Sequence, residues 1–298
     1  MFILHIDSGT EMRGGQWQAL YLIRGLIAAG HRTRLLTPAG SPLMQAAAAQ
    51  QVDVQALSLG RLLGATAGVD LIHAHDARAH TMALLSRKPL VVSRRVAFPL
   101  RRGVASWWKY RRAAHYMAVS QCVKHILMDA GVEPEKITVV YDGAPLDSWP
   151  KTGDRSRVLA VDLEDPGKGK KIIEAAAALA DIAVHFSDNL MRDLPQAAVF
   201  VYITDLEGLG SAVLLAMAAG APVLASRVGG LPEIVDDGIS GLLTSNEPPA
   251  IAKQIQRLLA DRPLALRLAA RARSRVEKEF SLDRMVNDTL RVYERILD

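Results

Sequence analysis

The chain has 298 residues, 50% hydrophobic and 22% charged, enough to bury a core and to fill one large or two ordinary domains. Its single cysteine, Cys122, excludes an internal disulfide framework and suits a reducing cytosol. A net charge of +5 favours anionic partners such as nucleotide diphosphates and acidic lipids.

Residues 2–6 read as a first strand and residues 7–15 as a polar turn closing in Gly14 and Gly15. His5 and Asp7 interrupt the opening apolar run, and no basic region precedes it, so it is not expected to be a signal peptide. Residues 16–29 place Leu20, Ile23, Leu26 and Ile27 at helical spacing, with Gly30 as the stop; residues 34–37 are a second strand. Strand, glycine turn, helix, strand opens a doubly wound parallel α/β domain. The turn holds no G-x-G-x-x-G, so dinucleotide binding is not indicated. Gly14 and Gly15 either let the backbone approach a ligand or simply make a tight turn.

Residues 69–76 are a strand ending in His73, His75 and Asp76. Histidines two apart on a strand face the same side. A metal site would need a third ligand, and none is signalled nearby. After a strand at 90–93 come Arg94, Arg95, Phe98, Arg101 and Arg102, then the run WWKYRR at 107–112. Such basic and aromatic residues can hold an anionic acceptor, dock on an acidic bilayer, stack on single-stranded nucleic acid, or form an ordinary solvated loop and helix. Nothing else in the chain supports nucleic acid.

Residues 116–120 are a strand, with Ser120 capping a helix that runs through Met128. Residues 145–154, rich in proline, glycine and polar groups, read as a linker. The pattern then restarts: a strand at 157–161, a turn at 162–169 holding Lys168 and Gly169, and a helix at 170–180. Strands at 182–186 and 199–203 flank one short helix. An acidic, glycine-punctuated turn follows, then an alanine-rich apolar helix at 211–219, stopped by Gly220 and Pro222. That break also argues against a membrane span. Glu207 thus sits at the carboxyl end of a strand, directly before a helix N-terminus. Open α/β sheets bind ligands there, and free N–H groups favour an anion. Helices at 249–259, 263–280 and 281–297 close the chain, the last capped by Ser281.

The run EGLG, AMAAGAPVLAS and GGLPEIVDDGISGLL, between Glu207 and Leu243, resembles the nucleotide-sugar signature of the family 4 (group 1) retaining glycosyltransferases. The resemblance implies the GT-B fold, two Rossmann-like doubly wound parallel-sheet domains facing a cleft. It assigns residues 1–148 to an acceptor domain, 155–280 to a shortened nucleotide-sugar domain, and 281–298 to a helix packing back on the first. It implies transfer of a sugar from a nucleotide-diphosphate sugar to a saccharide or lipid-linked acceptor in envelope polysaccharide or lipopolysaccharide synthesis. No cofactor or metal would be essential. The expected location is cytoplasmic, peripheral at the inner membrane face. His75 and Glu207 would face the sugar. Gly14, Gly15, Lys168, Gly208, Leu209, Gly210, Ser211 and Leu215 would line the donor. Arg94, Arg95, Arg101 and Arg102 would meet the acceptor or the membrane. Two positions depart from the family pattern: Leu215 stands where a second glutamate would bind the ribose, and Asp162 stands where an arginine would meet the diphosphate. These departures leave open a non-catalytic nucleotide- or sugar-binding relative acting as a partner protein.

Overall fold

The computed structural model describes residues 1–100, 103–147, 149, 155–162 and 169–298. The chain divides into two compact units, one of Met1–Asp142 with Leu282–Asp298 and one of Gly143–Ser281.

The first unit holds a parallel sheet of β1 (Phe2–Ile6), β2 (Arg32–Thr37), β3 (Val54–Ala56), β4 (Leu71–Ala74), β5 (Leu90–Arg94), β6 (His115–Ala118) and β7 (Ile137–Val139). Its spatial order is β3-β2-β1-β4-β5-β6-β7. The connecting helices are α1 (Gly14–Ala28), α2 (Pro42–Ala49), α3 (Leu59–Ala65), α4 (Ala77–Ala83), α5 (Val104–Arg111) and α6 (Gln121–Asp129). Every residue of β4 and β6 is buried, as expected of parallel strands covered on both faces. From β1 the chain winds outward through β2 and β3, then returns to the other flank of β1 as β4. The winding reverses between β1 and β4, and no crossover helix covers the gap at their carboxyl ends.

The second unit repeats this logic with five parallel strands, β8 (Arg157–Val161), β9 (Val184–Ser187), β10 (Ala197–Tyr202), β11 (Val223–Ser226) and β12 (Leu242–Thr244), in the order β12-β11-β10-β8-β9. Its helices are α7 (Lys170–Ala180), α8 (Leu190–Asp193), α9 (Ser211–Ala218), α10 (Leu231–Ile234), α11 (Pro248–Ala260) and α12 (Arg262–Glu279). The core packs Val199, Val201 and Leu224 of the sheet against Ile251, Ile255 and Leu258 of α11 and Ile173 of α7. Here the winding reverses between β8 and β10.

The last helix, α13 (Leu282–Leu297), belongs to the first unit. Its Met285, Val286, Val292 and Tyr293 share a core cluster with Leu22 and Leu26 of α1 and with Ile3, Leu71 and Val91 of the sheet.

Capping follows the residue types. Ser41, Ser58, Asp76, Ser120 and Asp261 each accept a first-turn N–H of the helix that follows them. The structure differs from the sequence reading in several places: it adds α4, β7, α10 and β12, and two further differences stand out. Helix α1 begins at Gly14, so Gly14 and Gly15 are its first residues and not part of a turn; neither has a positive φ. Helices α2 and α3 and strand β3 fill the stretch between Thr37 and Val69, which the sequence reading left unassigned although Ser41, Pro42 and Ser58 mark the two helix starts. They are short, and β3 has no fully buried residue to mark it.

Gly25 is the close contact between α1 and α13: a Cβ there would stand 2.3 Å from Cγ2 of Val286. Overpacking of this kind costs about 1–3 kcal/mol, against about 1 kcal/mol of helix propensity that alanine returns. Gly25→Ala should therefore lower the urea midpoint, and a double-mutant cycle with Val286→Ala should show coupling of about 1 kcal/mol or more.

Candidate functional site

In the second unit, the turn after β10 carries Glu207. The carboxylate is half-buried and held at both oxygens: Oε2 accepts the Tyr202 hydroxyl, and Oε1 accepts the Gly208 N–H at 3.1 Å. The turn is backed by Gly229 and Gly230. The Gly230 N–H donates to the Glu207 carbonyl at 3.1 Å. A Cβ on Gly229, whose φ is +55°, would stand 1.9 Å from that carbonyl oxygen, and one on Gly230 would stand 2.2 Å from the Gly208 carbonyl oxygen. Only glycine fits either place.

A second clamp acts from the side. The Thr204 N–H donates to Ser226 Oγ at 2.9 Å, and Ser226 donates to Asn246 Oδ1 at 2.6 Å. The Asn246 amide returns to the Thr204 carbonyl at 3.0 Å and to Asp205 at 3.1 Å. Gly169, which precedes α7 with φ +66°, lies against this turn: a Cβ there would lie 2.6 Å from the Ile203 carbonyl oxygen. The start of α7 thus meets the Glu207 turn where the winding reverses.

Gly210, at φ +109°, ends the Glu207 turn, and α9 starts at Ser211 with no side-chain cap. Its first-turn N–H groups have no acceptor within the helix, which suits an anion. The Leu209 side chain is buried, so it can offer a ligand only backbone. Leu215 lies one helical turn after Ser211 on the partly exposed face of α9, while Val213, Leu214 and Ala216 face the core. Asp162 is paired: Lys170 Nζ lies 2.6 Å from its carboxylate and also over the Phe186 ring. Lys170 therefore offsets the negative charge at this position. Lys168, Arg101 and Arg102 lie outside the described residues.

In the first unit, His75 and Asp76 follow β4 at the corresponding reversal. Asp76 caps α4 and also accepts the N–H and hydroxyl of Ser8 at 2.6 and 2.7 Å, tying together the turns after β1 and β4. His75 is buried, with both ring nitrogens engaged: Nε2 lies 3.0 Å from His5 Nδ1, and Nδ1 lies 3.2 Å from the Arg95 guanidinium. A guanidinium can only donate, so His75 Nδ1 accepts, its Nε2–H donates to His5, and the proton of His5 is left on Nε2. That His5 nitrogen is buried without a partner. Arg95 is held in turn by Asp142 at 3.1 Å, and Gly15 lies against its side chain, with an added Cβ 3.8 Å from Arg95 Cδ. Arg94 is tied to the Tyr110 hydroxyl and the Phe98 carbonyl.

The register of β1 on β4 sets His5 opposite His73, and this supplies the third histidine that the sequence did not signal. Nitrogens of His5, His73 and His75 lie within 4.8 Å of one another, close enough for a metal ion. Their lone pairs are already committed, however. His73 is bonded to Tyr293 and Ser93, and His75 would have to present a protonated Nδ1 to a cation that cannot accept from it. The cluster is better suited to a neutral hydrogen-bond chain than to a metal.

The sequence reading missed Tyr202, Ser226, Asn246, His5 and Tyr293. His5 alone left a trace, a polar residue inside an apolar strand. The others act through pairings set by strand register and long-range folding.

Residues 12–148 match the family described as Glycosyltransferase Family 4, and residues 147–261 the family described as Glycosyl transferases group 1. An uncharacterized glycosyltransferase of Methanocaldococcus jannaschii is 26% identical over 288 residues, covering 82% of this chain and 81% of that protein. The N-acetyl-alpha-D-glucosaminyl L-malate synthase of Bacillus anthracis is 31% identical over 111 residues, and there the match covers 37% of this chain and only 29% of the relative's length. Among solved structures, Anabaena HepE in complex with UDP and glucose superposes with a TM-score of 0.87 at 16% identity, covering 98% of this chain and 99% of that one.

The buried histidines give a pH signature. Burial pulls His5 down to about 3, His80 to about 3 and His115 to about 4, and holds His73 and His75 well below the ordinary 6.5. The unfolded chain therefore takes up protons that the folded one refuses. Their effect on stability should be flat above the ordinary histidine pKa. Below it, stability should fall progressively as pH drops, because of that difference in proton uptake. Urea titrations between neutral pH and pH 4.5 should show this slope, and His5→Asn should make it shallower.

Proposed function

Because the chain belongs to the family 4, group 1 glycosyltransferases and has their GT-B fold, we propose that it is a retaining enzyme. It moves a sugar from a nucleotide-diphosphate sugar to a saccharide or lipid-linked acceptor. The observation that carries this reading is the turn after β10: a carboxylate fixed at both oxygens, immediately followed by an uncapped helix N-terminus, at the reversal point of a doubly wound sheet. HepE holds UDP and glucose, which makes uridine diphosphate sugars the first donors to test.

The roles follow from the chemistry. As the bond to the leaving diphosphate breaks, negative charge grows on it. The amides of Leu209, Gly210 and Ser211 and the α9 dipole stabilise that charge without reorganising, the Gly208 N–H being held by Glu207. Lys168 adds a cation. Glu207 accepts hydrogen bonds from donor sugar hydroxyls and fixes the ring, and Tyr202 fixes Glu207. The family pattern places His75 facing the sugar; with Nδ1 accepting from Arg95 and Nε2–H donating to His5, it reaches a sugar hydroxyl only by giving up the His5 bond. The acceptor hydroxyl attacks the anomeric carbon from the face that the diphosphate leaves and gives its proton to the departing phosphate oxygen, so configuration is retained and Glu207 forms no covalent bond. Leu215 takes the place of a ribose-binding carboxylate, so the nucleoside is held more weakly or through other groups.

Two measurements test this reading. Calorimetry and turnover assays with uridine, guanosine and adenosine diphosphate sugars should find one donor that is both bound and consumed; binding without turnover across the panel would favour a non-catalytic relative. Glu207→Ala should abolish transfer while leaving the thermal melt within a few degrees. Leu215→Glu restores a charged acceptor worth about 1.5–3 kcal/mol, so nucleotide affinity should rise roughly ten- to a hundredfold.

A further inference from the structure

The first unit holds a small cavity of about 10 Å³ in which Ser93, Arg95, Asp142 and Thr289 meet among apolar side chains. That is room for about one water molecule, which is held where roughly two to four polar partners surround it. Thr289 makes the cavity informative. Its side chain is wholly buried in α13, and its hydroxyl has no hydrogen-bond partner among the described residues. A buried hydroxyl left without a bond is destabilising, and native structures rarely keep one. Valine has nearly the same shape and none of that cost.

The other polar groups at the cavity are those that set His75. Arg95 donates from Nε to Asp142 at 3.1 Å and from a second guanidinium nitrogen to His75 Nδ1 at 3.2 Å. Its remaining N–H groups can donate to a water, and the Asp142 carboxylate can accept from one. Ser93 Oγ, 2.7 Å from His73 Nε2, completes the polar wall. Helix α13 also reaches the histidines directly. Tyr293 follows Thr289 by one turn on the same helix face, and its hydroxyl lies 2.6 Å from His73 Nδ1. The His73 and His75 rings pack with centroids 4.1 Å apart. The last helix thus touches the histidine cluster at one point and faces the Arg95–Asp142 pair across the cavity at another.

We propose that the cavity binds one water that joins the Thr289 hydroxyl to the Arg95–Asp142 pair, and that Thr289 is thereby a positioning residue for His75. The water donates to Asp142 and accepts from Arg95, and the Thr289 hydroxyl completes its shell. With this link in place the guanidinium is fixed, and His75 keeps Nδ1 as an acceptor. Without it, Arg95 gains freedom on its long side chain, and the imidazole loses the bond that selects its tautomer. The effect on catalysis rests on the transferase reading; the water and the tautomer do not.

The test compares the full chain with Thr289→Val and Thr289→Ser by nitrogen NMR of the histidine rings, thermal melting and donor turnover. The parent should show His75 as the Nε2–H tautomer alone. Thr289→Val should show both tautomers in exchange and melt at a lower temperature. Its kcat should fall about fivefold, the size of one hydrogen bond, with KM changed by less than about twofold. Thr289→Ser keeps the hydroxyl and should restore the single tautomer and the parent kcat. The sign of the melt discriminates, because a hydroxyl with no partner at all is better replaced by valine. A raised melting temperature in Thr289→Val with an unchanged His75 spectrum would therefore overturn the proposal. So would a crystal structure of the parent with no water bonded to Thr289. A parent that turns over no donor would sink the transferase reading, while the ring spectra and the melt still decide this one.

Discussion

Two glycines set the geometry of the second unit. Gly229 and Gly230 let their turn press directly on the carbonyls of Glu207 and Gly208, at distances where any Cβ would collide. With the Thr204–Ser226–Asn246 clamp on one side and Tyr202 on the other, Glu207 has little freedom to move. A carboxylate that must meet ligand hydroxyls benefits from this, because the entropy of ordering it is lost on folding and not on binding. The tightest glycine contacts of the second unit, at Gly169, Gly210, Gly229 and Gly230, gather around the Glu207 turn.

The two units use the same architectural gap for different chemistry. In the second, the reversal between β8 and β10 gathers glycine turns, bare amides and one carboxylate. In the first, the reversal between β1 and β4 gathers a buried chain running from Asp142 through Arg95 and His75 to His5. Burial and the Arg95 charge both oppose protonation of these imidazoles. They are therefore neutral groups of defined tautomer, and their cost appears only in acid.

Much of this was legible from residue order. The strand–turn–helix openings, the stop at Gly220 and Pro222, and Ser120 as a cap follow from local chemistry, and the structure has each of them. The signature between Glu207 and Leu243 led to the family that the comparisons show. What stayed hidden was long-range. Nothing local in His5 says that it lies opposite His73, because parallel register is set by the crossover helices. Asn246 acts on residues about forty positions upstream. Asp162 stands where the family pattern has an arginine, and the structure pairs it with Lys170 at the start of α7. Gly14 and Gly15 looked like a turn because glycine usually marks one, yet they open α1.

The docking of α13 bears on how the polypeptide is made. Tyr293 closes the bond to His73 and fills the core beside α1, yet the whole second unit is encoded between them. On a ribosome, the early strands must wait, with that side of their core open, until everything up to Tyr293 has been synthesised. The second unit, contiguous in the chain, can complete its sheet first. Vectorial synthesis thus makes the first-made unit the last to be finished.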